Sequence, residues 1–148
     1  MGAIEIRGID HVVLRVRDLD RALAFYCGLL GCREERRLDE LGLVQLRAGS
    51  GLVDLVDVAG PLGIAGGAPA GDQARNMDHF ALQLDHFDEK LLMACLAEAG
   101  VEAGPVGRRY GALGMGPSLY IRDPDGNTVE LKGPPEGAED GPSGPPSP

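Results

Sequence analysis

The sequence predicts an α+β fold of two βαβββ modules, and three observations carry that prediction. The hexapeptide Ile9-Asp-His-Val-Val-Leu returns at 77–82 as Met-Asp-His-Phe-Ala-Leu, and each copy is followed by a helical pattern and then by strands. Gln45-Leu-Arg-Ala-Gly-Ser-Gly-Leu-Val-Asp54-Leu lies over Tyr120-Ile-Arg-Asp-Pro-Asp-Gly-Asn-Thr-Val-Glu130-Leu with one residue of difference, which makes Asp54 and Glu130 equivalent. A repeat spacing of about 70 residues is too long for a solenoid and marks a duplicated supersecondary unit.

The elements follow in order. Residues 9–16 alternate with period two, which sets His11, Val13 and Arg15 on one face and Val12, Leu14 and Val16 on the other. Asp18 suits an N-cap, Leu19, Leu23, Tyr26 and Leu30 recur at helical spacing, and Gly31 can end the helix in the left-handed conformation. Strands are expected at 33–38, 43–47 and 52–58, separated by turn residues. The Gly-, Ala- and Pro-rich residues 59–76 show neither period and read as a connection.

The second module repeats the plan. A strand is expected at 77–84, and a helix at 87–99 with Leu91, Leu92, Cys95 and Leu96 buried and Gly100 as its cap. Further strands are expected at 102–108, 118–122 and 127–132, with the glycine-rich residues 110–117 as a mobile loop. One domain thus covers 1–133, with modules at about 8–58 and 77–133. The tail at 134–148 has little to bury and is expected to be disordered.

Composition narrows the function. The chain has 148 residues and is 43% apolar, enough for one real core. A net charge of -9, part of it from Glu136, Glu139 and Asp140 in the tail, argues against a nucleic-acid partner. No segment suits a membrane span, and the N-terminus carries neither a signal-like run nor a myristoylation motif. A cytoplasmic protein is expected, with Cys27, Cys32 and Cys95 as reduced core thiols.

Paired Asp-His starts with matched carboxylates suggest a metal site. Ile9-Asp-His-Val-Val-Leu, Asp18-Leu-x-Arg21-Ala22, Phe25-Tyr-x-x-x-Leu30-Gly31 and Arg122-Asp-Pro-Asp-Gly-Asn-x-x-Glu130-Leu together resemble the vicinal oxygen chelate superfamily over residues 8–133. That group includes glyoxalase I, extradiol dioxygenases and the fosfomycin and bleomycin resistance proteins. The resemblance implies a curved, cup-shaped mixed sheet, commonly in a homodimer, with His11, Asp54, His79 and Glu130 as ligands of a divalent ion. Two imidazoles and two carboxylates suit Zn, Ni, Co, Mn or Fe.

Three functions follow from the resemblance. A lyase or isomerase like glyoxalase I would chelate vicinal oxygens of a small-molecule substrate and use Glu130 as proton shuttle. Asp54 is one methylene shorter than the usual Glu or Gln. Without it, His11, His79 and Glu130 form the two-histidine, one-carboxylate triad of Fe(II) dioxygenases, and Tyr120 resembles a tyrosine of those enzymes. The third function is drug sequestration without metal. Arg15, Gln45, Arg47 and Arg109 are candidates to hold an anionic substrate, with rim ion pairs as the alternative for the arginines, while His86 reads as a solvent or capping residue.

Overall fold

A computed structural model describes residues 3–137 of the chain. The chain divides into two compact units, one ending at Asn76 and the other beginning at Met77. Each has the predicted βαβββ order.

The first unit contains β1 (His11–Val16), α1 (Leu19–Leu23), β2 (Arg33–Leu38), β3 (Leu43–Ala48) and β4 (Gly51–Asp57). They form a sheet in the order β1-β4-β3-β2, with β1 parallel to β4 and the other pairs antiparallel. Period two decides its faces. Leu14, Val16, Val44, Leu46, Val53 and Leu55 are buried on one side, where each such side chain contributes roughly 1.5–3 kcal/mol.

Asp18 caps α1 as expected, its side chain accepting from the Arg21 amide. The helix then departs from the expected single run, widening into a π-helical segment at Ala24–Leu29 in which the Leu30 amide donates to the Phe25 carbonyl. That extra residue per turn moves the apolar stripe. Ala22, Phe25 and Tyr26 become the buried set, the two rings meeting edge to face at 5.0 Å.

Strand β2, Arg-Glu-Glu-Arg-Arg-Leu, closes one edge of this sheet. Its first five residues are charged and exposed, and its register slips between Glu34 and Arg36. The connection at 59–76 is more ordered than its composition suggests. It holds a short α2 (Pro61–Ile64), and the Arg15 guanidinium donates to the Gly63, Gly67 and Ala68 carbonyls. Arg17 adds a bond to the Ala70 carbonyl, and the Asn76 amide donates to the Arg15 carbonyl.

The second unit contains β5 (Phe80–Gln83), α3 (Glu89–Glu98), β6 (Gly107–Gly111), β7 (Gly114–Arg122) and β8 (Thr128–Lys132), in the sheet order β5-β8-β7-β6. Two expectations are corrected here. The strand expected at 102–108 lies at Gly107–Gly111, and residues 110–117 form a hairpin rather than a mobile loop, with Tyr110 opposite Met115 and Gly111 opposite Gly114. The glycines continue the ladder because their backbone pairs as well as any other.

In α3 the stripe is narrower than expected. Asp88 caps the helix and Leu96 is buried, but Leu91 is 67% exposed and Cys95 is exposed. Leu92 and Leu96 share a face at i, i+4, whereas Leu91 and Cys95 each lie one residue, about 100°, round the helix toward water. The cysteines are free, and burial pushes the half-buried Cys27 and Cys32 thiols up. Of the tail expected at 134–148, residues 138–148 lie outside the described residues. Before them, the Glu136 amide donates to the Met115 carbonyl. No helix of the described residues is long and apolar enough to cross a membrane.

Candidate functional site

In the first unit the polar face of the sheet is built around β4. Val13 and Gln45 stand opposite Asp54 on the flanking strands, and His11 lies two residues before Val13 on the same face. The Asp54 side chain is almost fully buried at 4% exposure. Its Oδ2 accepts from the Gln45 amide at 3.0 Å, while its Oδ1 is buried without a hydrogen-bond partner. A buried carboxylate oxygen left bare is costly unless a cation completes it.

His11 is exposed, and its Nδ1 lies 2.6 Å from the Asp10 carboxylate. That hydrogen bond raises the imidazole pKa above the ordinary 6.5; desolvation opposes it, and the charges of Asp54 and Asp10 add to it.

The two arginines of this face are already engaged. Arg15 is held by the connecting segment, as described above, with its Nε buried and without a hydrogen-bond partner. Arg47 forms a bidentate pair with Glu35 at 2.6 and 2.8 Å. That pair holds the Glu35 carboxyl below its ordinary value of 4.5. A depressed carboxylate stabilises the fold above its unfolded pKa, and the contribution is lost as pH falls through the lower folded value. In an NMR titration Arg47→Met is expected to return Glu35 toward 4.5, and an unchanged Glu35 would show that the pair is not formed in solution.

The second unit gathers its polar groups more tightly. Register sets Tyr120 and Ala81 opposite Glu130, and Ser118 and Gln83 opposite Lys132. His79 Nε2 lies 3.5 Å from Glu130 Oε2, and its Nδ1 lies 2.5 Å from the Asp78 carboxylate. The Tyr120 ring meets the His79 ring edge to face at 5.4 Å, and the Arg109 guanidinium stacks 4.5 Å from the Tyr120 centroid. Arg109 also donates to the Ser118 carbonyl and hydroxyl. Glu130, Lys132 and Ser118 are all buried on this face.

Within the second unit His79 and Glu130 have the spacing of two ligands of one divalent ion. Two donors about 2.0–2.2 Å from one ion stand roughly 3.0–3.5 Å apart at octahedral to tetrahedral angles, and the observed 3.5 Å falls at the upper end of that range. Each histidine has its Nδ1 occupied by the preceding aspartate, leaving Nε2 for an ion. In the first unit the bare Asp54 Oδ1 is an acceptor open to a cation. The four expected ligands thus stand as two in each unit. Among the described residues no three His, Cys, Asp or Glu side chains gather into a metal-ligand group.

Three participants are missed by sequence reasoning. Asp10 and Asp78 are visible as the first half of each Asp-His pair, and their role follows once the Nδ1 contacts are seen. Lys132 shares strand parity with Glu130, but its burial depends on β6 and β7 and leaves no local signal. His86 is exposed, and Asp88 supplies the helix cap.

Comparison with known proteins agrees with this architecture. The model of the Glyoxalase/Bleomycin resistance protein/Dioxygenase superfamily matches residues 8–131. Catechol-2,3-dioxygenase of Bacillus subtilis (strain 168) is 29% identical over 124 residues, which are 83% of this chain; the chain spans 40% of that relative's length. Lactoylglutathione lyase of Agrobacterium tumefaciens superposes with a TM-score of 0.64 at 26% identity, covering 86% of this chain and 94% of its own. A glyoxylase/bleomycin resistance protein/dioxygenase domain from Frankia sp. EAN1pec superposes at 0.68 with 26% identity, covering 92% and 98%.

Proposed function

Because the chain belongs to the glyoxalase/bleomycin resistance protein/dioxygenase superfamily, we propose that it is a metal-dependent enzyme acting on a small molecule with two vicinal oxygens. The observation that carries this reading is the pair His79 and Glu130, 3.5 Å apart, with the far nitrogen of the imidazole tied to Asp78. His11, Asp54, His79 and Glu130 would hold the ion. When bound, it would act as a Lewis acid on the substrate oxygens and acidify the neighbouring C–H bond.

The residues of the chain perform the remaining work. Glu130 takes the proton from the acidified carbon and returns it to the adjacent one, as in a glyoxalase-like isomerisation or lyase reaction. Asp10 and Asp78 hold the imidazoles in the tautomer that presents Nε2. Tyr120, backed by Arg109 and in contact with His79, orients the substrate beside Glu130. Gln45 holds one oxygen of Asp54 and thereby fixes the direction of the other.

A second reading is favoured by the contact between Tyr120 and His79. If Asp54, one methylene shorter than Glu, does not reach the ion, His11, His79 and Glu130 are left as an Fe(II) triad, with Tyr120 against the His79 ring as in an extradiol-type dioxygenase. Elemental analysis of the purified protein separates the two. Stoichiometric Zn, Ni or Co, lost in His11→Ala, is the expected result, whereas stoichiometric Fe selects the dioxygenase. No uptake of any of these ions would overturn both and leave a binding protein of the drug-resistance kind.

A further inference from the structure

Lys132 is buried at 6% exposure on the same face as Glu130, yet it is poorly served. Among the described residues its ammonium, with three protons to give, donates one hydrogen bond, at 3.4 Å to the Gly133 carbonyl. That is longer than a good N–H···O bond.

The glycines of the β6–β7 hairpin explain how the side chain reaches its place. A Cβ at Gly111 would stand 3.2 Å from Lys132 Cε, and one at Gly116 would stand 3.0 Å from Nζ. The side chain therefore lies across β7 toward β6, on a floor that only glycine leaves open. Ser118 stands opposite Lys132 in the register, and its buried hydroxyl accepts from Arg109.

Charge on this face is unbalanced. Arg109 and Lys132 are cations, and Glu130 is the buried carboxylate among the face residues. Arg109 is already bonded to Ser118 and stacked on Tyr120, and Glu136 is half exposed and paired with Arg108. Once Glu130 serves an ion, Lys132 is left as a buried cation without a committed counter-charge, which is a costly arrangement.

We propose that Lys132, on its glycine floor and beside Ser118, is a subsite for a small oxyanion, the carboxylate or phosphoryl group of the substrate. Lys132 and Glu130 are two strand positions, about 6.6 Å, apart. The substrate class is then a compact acid whose vicinal oxygens lie at Glu130 and whose anionic end reaches Lys132. This selects against the cationic ligands that a net charge of -9 would otherwise favour. The inference rests on the function proposed above for its account of Glu130.

The test is run on the full chain with and without saturating zinc, so that Lys132 is probed with Glu130 both engaged and free and failure to bind an anion is read separately from failure to bind an ion. Acetate and inorganic phosphate are titrated while the amide signals of Gly116, Ser118 and Lys132 are followed by NMR. In the wild type these signals are expected to shift saturably, and the anion that saturates at lower concentration identifies the group. Lys132→Met should weaken binding at least tenfold and Lys132→Arg by less than threefold. Gly111→Ala, whose methyl displaces the lysine without removing its charge, should also weaken it and serves if Lys132→Met does not fold. Absence of saturation in the wild type both with and without zinc, or equal affinity in Lys132→Met or Gly111→Ala, overturns the proposal.

Discussion

Glu130→Ala is expected to lower divalent-metal affinity by about 100-fold while the far-ultraviolet spectrum is kept. The magnitude follows from dividing a typical apparent binding free energy of about 10–16 kcal/mol among four ligands, roughly 3 kcal/mol each. Glu130 is buried 3.5 Å from His79, another expected ligand, so its loss removes both charge and geometry. Asp78→Ala leaves every expected ligand in place and frees His79 Nδ1. Its expected cost is smaller, about 10-fold, within the range for groups that orient a ligand. Competition with a chromogenic chelator measures both. Wild-type affinity in Glu130→Ala would remove Glu130 from the ligand set.

Asp123→Ala should have the largest effect on stability outside the hydrophobic core. Asp123 is buried in the turn between β7 and β8 and accepts from the amides of Asp125 and Asn127 and from the Asn127 side chain. Removing the carboxylate strands three donors, two of them from a buried residue, each at about 1–3 kcal/mol when unsatisfied. Partial access to water brings the expected loss to roughly 2–4 kcal/mol, read from the urea midpoint. Asp123→Asn keeps one acceptor and should fall between. The site should suffer with the turn, because this turn sets the register that places Tyr120 opposite Glu130. A midpoint equal to the wild type would mean that the turn holds without its carboxylate.

The parts of the fold that were legible in the sequence are those encoded locally. Period two in 9–16 marked both faces of β1, and Asp18 announced its helix. The misreadings are of groups whose meaning depends on distant neighbours. Gly111 and Gly116 suit a loop and a close approach equally well, and only the positions of Lys132 and Pro134 separate the two. Arg15 has the right parity to meet a substrate, but the carbonyls of 63–68 are folded onto it. The helical spacing of Leu19, Leu23, Tyr26 and Leu30 hid a π-helical segment because one added residue changes no residue type. For the site, residue identity and pairing within each unit were readable, whereas the Nδ1 contacts and the bare Asp54 oxygen required coordinates.

Strand β2 bears on how the protein behaves at high concentration. An outer strand offers unpaired amides and carbonyls on which another chain can add, the first step toward fibrous aggregates. Here that strand reads Arg-Glu-Glu-Arg-Arg-Leu and is kinked where its register slips. A second copy approaching in register would set like charges side by side and meet a bend it cannot match. Neutralising Arg36 and Arg37 would remove much of that protection while leaving the buried apolar face untouched, so aggregation and folding stability are set by different residues of one sheet.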